Sequence, residues 1–414
     1  MNVDQLKGKT IGAAVSGGLD SCTVTRWLAD NGVNVVCFTA DLGQPDEKNV
    51  EEIRERMLAS GAQEAVIVDA KDALAMAGLK VIQTQAKYEG GYWNTTGIAR
   101  HVTVKAILPE MQQRGINILS HGCTGRGNDQ VRFQLASNML NPTVEVYAPW
   151  RDAAFLERFG GRSEMIDFCN ERGLPITATH DAPYSTDANL LGLTHEAGQL
   201  ESLKTPAEFI EPGMGVHPKD APDEIEHFTV AFAGGMPVEL NGSPVTPLQV
   251  LLEANRIGGR NAVGIGIHTV ENRFVGIKSR GVYESPGMEL LGRCYDYLLQ
   301  LILDRRSRRF FDQVSAAVAE QIYQGYWFDS TTQSLLAAIQ RFTRLTEGVI
   351  AVSLYKGNVS FHAASNAPHS IYSEETASME AVGDFNHADS EGFLSVLGVG
   401  ARALAVAGQT EASD

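Results

Sequence analysis

Ser16, Gly17, Gly18, Leu19, Asp20 and Ser21 follow a run of small or apolar residues, Thr10 to Ala14. They precede SCTVTRWLADNG, where Val24, Trp27 and Leu28 recur at helical spacing. Two glycines at a strand-to-helix turn let the backbone approach an anion closely, and the helix behind them aims its unpaired N–H groups and positive dipole end at the same point. The segment reads as a phosphate cradle. It is not a Walker A loop, because no lysine follows the glycines, and it is not G-x-G-x-x-G. Taken alone it reads equally well as an ordinary glycine-rich turn. A second stretch, HGCTGRGND (121–129), gathers His, Thr, Asn and Asp among glycines 122, 125 and 127, which let the backbone pass close to a ligand. A merely solvated loop has no need of that collection.

Other chemistry-bearing groups carry plainer readings. Arg305, Arg306, Arg308 and Arg309 form a basic run, but the chain has 34 Lys plus Arg against 50 Asp plus Glu, a formal charge of −16. A solvated helix face or a subunit contact is the better reading of that run, and nucleic-acid binding is disfavoured overall. His195-Glu196 lacks the second histidine of H-E-x-x-H, so no metal site is expected there. Cys22 lies beside the glycine turn near a helix start, where it reads as a small packing residue. The five cysteines are scattered and odd in number, with no C-x-x-C pair, which fits a reducing cytoplasm. The opening residues MNVDQLKGKT hold no apolar run of a signal peptide, and nothing later approaches the roughly 18 apolar residues that span a bilayer.

The elements that must position these residues alternate at first between strand and helix. A β-branched run, Val33 to Ala40, is of the kind covered on both faces of a parallel sheet. Helix-like 47–60 leads to a strand at Ala65–Val68, and helix-like 99–114 leads to a strand at Ile116–Leu119. A doubly wound α/β sheet follows, with ligands beyond the carboxyl ends of its strands. After about Gly173 the alternation fades. Residues 184–240 look loop-rich with a hairpin over 224–240, then come a helix at 246–257, a strand at Arg273–Ile277, and helices at 286–304 and 308–323. We expect a doubly wound domain over 1–173, a second, α+β domain over 174–365, and a tail over 366–414, with an apolar patch at Phe393–Leu404, that packs on another subunit.

The glycine turn resembles the pyrophosphate-binding loop of the N-type ATP pyrophosphatases, whose nucleotide-binding domain is adenine nucleotide alpha hydrolase-like. Five further segments narrow the resemblance to the argininosuccinate synthetase family: GYWNTTGIAR (91–100), HGCTGRGNDQVRF (121–133), YSTDANLLG (184–192), ENRFVGIKSRGVYESPG (271–287) and YQGYWFDS (323–330). The resemblance implies a cytoplasmic ligase, a homotetramer, that joins citrulline to aspartate with ATP and Mg²⁺ through a citrullyl-adenylate, with 1–173 as its ATP-binding domain, 174–365 as its synthetase domain and 366–414 as its oligomerisation tail. A ligase acting on a citrulline-like substrate in another pathway is the alternative. NTTG and ATHDAPYSTD look like the longer bacterial branch of the family, whereas the ending, SIYSEET with DSEGFL, looks like the shorter one.

By the same resemblance, Ala14, Val15, Ser16, Gly17, Gly18, Leu19, Asp20, Ser21 and Cys22 hold the phosphates, and Ala40, just past the second strand, contacts adenosine. Gly122, Thr124, Asp129 and Asp187 complete the ATP contacts, while Thr124, Asn128 and Asp129 bind aspartate. For citrulline the matching cation is Arg132, the anions Glu196 and Glu271, and the hydroxyls Tyr92, Ser185 and Thr194, with Asn128 and Tyr283 beside them. Asp20, Asp129 and Arg132 are the catalytic set so implied. Gly97 stands where one branch of the family has a citrulline-contacting serine, and that contact is not carried over. Without the family, Glu271 and Arg273 would read as a surface ion pair and Tyr92 as a core aromatic.

Overall fold

The computed structural model describes residues 1–47, 49–176, 183–380 and 386–411. Residues 178–182 of the ATHDAPYSTD segment lie outside them. Strands β1 (Thr10–Ala14), β2 (Asn34–Asp41), β3 (Glu64–Asp69), β4 (Ile118–His121) and β5 (Glu145–Tyr147) form one five-stranded sheet in the order β3-β2-β1-β4-β5. All its pairings are parallel. Helices α1 (Leu19–Asp30), α2 (Val50–Ala59), α3 (Lys71–Gln83), α4 (Thr95–Gln113) and α5 (Asp129–Leu140) fall between or after these strands.

The β2 sequence NVVCFTAD shows why it lies inside the sheet. Val35 and Cys37 enter a core with Trp27, Leu28 and Met57, while Val36 and Phe38 enter another with Ile107, Met111 and Phe133. Each large apolar side chain so buried contributes roughly 1.5–3 kcal/mol, so burial on both faces commits this strand to a covered position. The doubly wound sheet expected from the alternation is present. Its strand order reverses at β1 and β4, so the loops leaving these neighbours diverge and open a crevice between them.

Helices α6 (Ala153–Arg158) and α7 (Arg162–Glu171) close this part of the fold. Beyond them the strands are antiparallel: β6 (Ser185–Asn189), β7 (Gly192–Glu196), β8 (Glu226–Ala233), β9 (Met236–Leu240), β10 (Ser243–Pro244), β11 (Ile265–Asn272), β12 (Lys278–Glu284), β13 (Gly348–Tyr355) and β14 (Asn358–Ser365). They make a five-stranded sheet, β10-β9-β8-β13-β14, and a four-stranded sheet, β11-β12-β7-β6. Helices α8 (Pro247–Arg260), α9 (Pro286–Ile302), α10 (Arg305–Gln324) and α11 (Ser330–Leu345) pack among them. The apolar stripe of α9, from Leu290 to Ile302, is buried in the largest core together with Phe228, Val230 and Phe232 of β8.

One expected strand is corrected. Arg273–Ile277 is the turn joining β11 to β12, and the strands lie on either side of it. The Gly276 N–H donates to the Arg273 carbonyl, and Gly276 itself sits at φ 90°, a conformation that reverses the chain rather than extending it. Residues 184–240 also hold more regular structure than expected, since β6 and β7 form a hairpin within them.

The chain forms two compact units, Met1–His369 and Ser370–Asp414. The second contains α12 (Glu374–Ala377) and the twenty-residue α13 (His387–Val406), in which no residue is buried.

Candidate functional site

At the carboxyl end of β1 the chain turns at Gly17, φ 77°, where an added Cβ would come within 2.9 Å of Ile53 Cγ2. Gly18 then caps α1 in an extended conformation and, as a glycine, offers the helix's first N–H groups no side-chain cap. Uncapped donors at a helix start suit an anion. Ser21 Oγ accepts from the Ser16 N–H at 3.0 Å, which closes the turn on itself. Ala40 lies near the end of β2, inside the strand rather than beyond it, and its carbonyl accepts from Gln44 Nε2 at 3.1 Å. Gly122, on the loop leaving β4, lies against the glycine turn: a Cβ there would stand 3.3 Å from Asp20 Cβ. The loops after β1 and β4 therefore meet across the crevice, and Thr124 lies on the second of them. Asp20 Oδ1 accepts from Trp150 Nε1 at 3.1 Å. Burial raises the Asp20 pKa against the lowering effects of that bond and of Arg162.

Asp129 begins α5 and stands at the centre of the charged cleft. Its Oδ2 accepts from Arg100 Nε at 2.9 Å and its Oδ1 from Arg132 Nη1 at 2.7 Å. Arg100, on α4, also donates to Asp187 on β6. Burial pushes the Asp129 carboxyl up, but the two guanidinium groups outweigh it and hold the pKa at about 2. Asp187 rises, because burial and the nearby Asp129 charge exceed the pull of Arg100. Arg132 donates its Nε–H to the Tyr323 carbonyl at 2.9 Å and stacks over the Tyr323 ring. A guanidinium has five N–H donors, and three of Arg132's have no hydrogen-bond acceptor among the described residues. Gly97 faces this group: an added Cβ would lie 3.6 Å from Arg132 Cζ.

Glu271 ends in the same cleft from β11. It is buried and accepts from the Tyr323 hydroxyl. Burial lifts its pKa to about 7, against the lowering influence of the Tyr323 bond and Arg132. It is not half of a surface pair with Arg273, which instead lies 3.6 Å from Glu196 on β7. Glu196 is also raised, by burial and then by Asp129, although 49% of its side chain remains accessible and solvent tempers the shift. Tyr92 is both core aromatic and cleft wall: its ring stacks on Tyr283 at 4.0 Å, and its hydroxyl accepts from the Thr96 N–H at 3.0 Å. Thr96 in turn bonds Thr194 at 2.9 Å, and Tyr283 and Thr194 are cross-strand partners, as are Ser185 and Glu196.

Ala14 to Cys22, Ala40 and Gly122 are thus gathered at the ends of the parallel sheet; Thr124 lies on the loop between β4 and α5, and the remaining named residues connect to Asp129 through Arg100, Arg132 and their neighbours. Cys22 is fully buried, with its thiol pKa raised by burial. The reading from sequence missed Arg100, Thr96, Tyr88 and Tyr323; Tyr88 stacks on Tyr323 at 3.7 Å. One signal was available: Asp129 and Asp187 both needed a counter-charge, and Arg100 lies in a segment already singled out. Among the described residues no group of three or more His, Cys, Asp or Glu has metal-holding geometry. A surface hollow of about 530 Å³ lined by Met1, Gln5, Lys9 and Glu145 lies at the amino ends of β1 and β5, the edge where such sheets do not bind ligands.

A parallel sheet with an anion-accepting glycine turn at its switch point, beside a cleft of buried arginines and carboxylates, defines a nucleotide-using α/β enzyme. A family model for the arginosuccinate synthase N-terminal HUP domain matches residues 10–175, and one for the arginosuccinate synthase C-terminal domain matches 184–404. The chain is 42% identical over 391 residues to the argininosuccinate synthase of Rhodopirellula baltica, covering 94% of this chain and 96% of that one. It is 38% identical to that of a Thermotoga species, over 92% of this chain and 94% of the relative, and 38% identical to the chloroplastic enzyme of Arabidopsis thaliana, over 95% and 78%. The chain belongs to the argininosuccinate synthase family, and is a ligase.

Proposed function

We propose that the chain joins L-citrulline to L-aspartate in arginine biosynthesis, converting ATP to AMP and pyrophosphate. One observation besides family membership supports this reading: the glycine turn and the Asp129–Arg100–Asp187–Arg132 network open onto one crevice, which sets a turn suited to phosphate beside charged side chains suited to amino acids. The ureido oxygen of citrulline attacks the α-phosphorus and pyrophosphate leaves, giving a citrullyl-adenylate. The aspartate amine then attacks the ureido carbon and AMP departs. No enzyme nucleophile is required, so catalysis is positioning, charge stabilisation and exclusion of water.

The N–H groups from Gly17 to Ser21 receive phosphate oxygens, and Ala40 and Gly122 border the adenosine. Three remaining donors on Arg132 suit the citrulline carboxylate. Glu196 and Glu271 suit its ammonium, and Tyr92, Ser185 and Thr194 its polar groups. Asp129, held ionised by its arginines, is an acceptor-only group suited to the aspartate ammonium, with Thr124 and Asn128 beside it. Mg²⁺ fits here as a companion of the nucleotide: it favours phosphate oxygens and water with one or two carboxylates, and its chemistry would be to neutralise phosphate charge. We further propose a domain division at 173/174, a tail from residue 366, a homotetramer and a cytoplasmic location.

The test is pyrophosphate release with each substrate omitted in turn. Release that requires ATP, citrulline and aspartate together, with argininosuccinate identified by mass spectrometry, is expected. Equal release without citrulline would refute the assignment, and a different product mass would favour the citrulline-like alternative.

A further inference from the structure

Asn128 is buried, and its Oδ1 accepts the main-chain N–H of Phe274 at 2.8 Å. Phe274 belongs to the β11–β12 turn, in a different sheet from the loop that carries Asn128. An amide whose oxygen is held by an N–H must point its NH₂ the other way. Among the described residues no protein acceptor bonds to Asn128 Nδ2. The turn grips the same loop a second time, since Arg273 Nη1 donates to the Arg126 carbonyl at 3.2 Å. We propose that the Phe274 main-chain N–H is a positioning group for the ligation: it locks the Asn128 amide with its NH₂ facing the amino-acid substrates. The β11–β12 turn thereby sets affinity for aspartate and citrulline and leaves ATP binding alone. This rests on the assignment of Asn128 to those ligands.

The turn geometry allows the N–H to be deleted by itself. The Gly276 N–H donates to the Arg273 carbonyl at 2.9 Å, and the Arg273 N–H to the Ile277 carbonyl at 2.9 Å, so Phe274 is the second residue of a β-turn. Proline is favoured at that position. Phe274→Pro therefore removes the donor within the same turn, whereas Phe274→Ala keeps the donor and removes the ring, which is 43% exposed. Relative to Phe274→Ala, Phe274→Pro is expected to raise KM for aspartate and citrulline about tenfold, the scale of one net hydrogen bond. KM for ATP, kcat and Tm are expected to match. Combined with Asn128→Ala, Phe274→Pro adds nothing further. Equal KM values for the two Phe274 variants while Asn128→Ala is impaired, or additive losses in the double variant, would overturn the inference. An unimpaired Asn128→Ala would instead overturn the assignment of Asn128. If Phe274→Pro lowers Tm below that of Phe274→Ala, an amide-to-ester replacement at 274 deletes the same N–H and decides by the same KM comparison.

Discussion

Arg100 donates to Asp129 and Asp187 at once and keeps 20% of its side chain exposed, so its removal leaves two carboxylates facing each other in a half-buried cleft. Breaking one partner out of a buried ion pair costs roughly 3–5 kcal/mol, against about 0–1 for an exposed pair. Arg100→Ala should therefore lose on the order of 100-fold or more in kcat/KM, while Arg308→Ala, whose partners Asp296 and Asp312 are none of the named site residues, stays near wild type in activity. Steady-state kinetics on both variants is the check of this contrast between a cleft arginine and one outside it, and equal losses would misplace the site. Asp129 gives the matching stability signature. Its folded pKa of about 2 lies below the ordinary carboxylate value, so its contribution is full above about pH 4 and disappears as pH falls toward 2. Glu271 has the opposite sign. Its pKa of about 7 means the folded chain holds a proton that the unfolded chain has lost, so this group's contribution to stability declines as pH rises from about 4 to 7. Pairing with the citrulline ammonium requires that proton to leave. Citrulline affinity measured by calorimetry without aspartate should strengthen between pH 6 and 8, and Glu271→Gln should bind more weakly with a flat profile.

The β1–α1 turn is the element on which nucleotide affinity rests. Gly17 is at φ 77°, and an added Cβ would press on Ile53, whereas Gly18 is extended and its added Cβ would meet only Ser16 Oγ at 3.7 Å. A left-handed non-glycine residue costs about 1–2 kcal/mol before any clash. Gly17→Ala should raise KM for ATP at least tenfold and lower Tm, and Gly18→Ala should leave Tm nearly unchanged; thermal unfolding with ATP titration separates the two. This turn was legible from sequence because its chemistry is local, as were β1 to β4 and the helices α8 to α10, whose apolar spacing matches their period. The β11–β12 hairpin was not. Its tip holds the apolar residues Phe274, Val275 and Ile277, all at least 40% exposed, while its strands carry polar residues and glycines. Gly281 looks like a strand breaker, yet an added Cβ there would meet the Tyr283 hydroxyl at 2.3 Å, so the glycine is there to let that ring lie across the strand. Arg100 and Tyr323 stayed hidden for another reason. Tyr323 reaches Glu271 and Arg132 only through tertiary folding, and no spacing along the chain encodes that meeting.

Across the whole molecule, the charge of −16 repels substrates that all carry carboxylate or phosphate, so their attraction must be local, from the N–H groups of the glycine turn and from arginines such as Arg132. The named site residues all fall within Met1–His369, which has its own cores, and none within Ser370–Asp414. The tail answers to a different physics. On α13, Phe393, Leu394, Val396, Leu397, Val399 and Leu404 are each at least 49% exposed, and Val406 is 90% exposed. Contiguous apolar surface on this scale is characteristic of an association surface, since a helix left in water with such a face gains nothing from it. If the tail joins copies of the chain, its removal should act on assembly before it acts on folding. A chain ending at His369 should keep a cooperative thermal transition within a few degrees of the full-length protein, and light scattering should find it in a smaller assembly than the proposed tetramer. Pyrophosphate release per subunit should then fall less than for Arg100→Ala. Asp substitutions at Leu394 and Leu397 test the same surface without shortening the chain, and should shift the assembly in the same direction. An unchanged mass for both variants would mean that the exposed face of α13 is not what holds the subunits together.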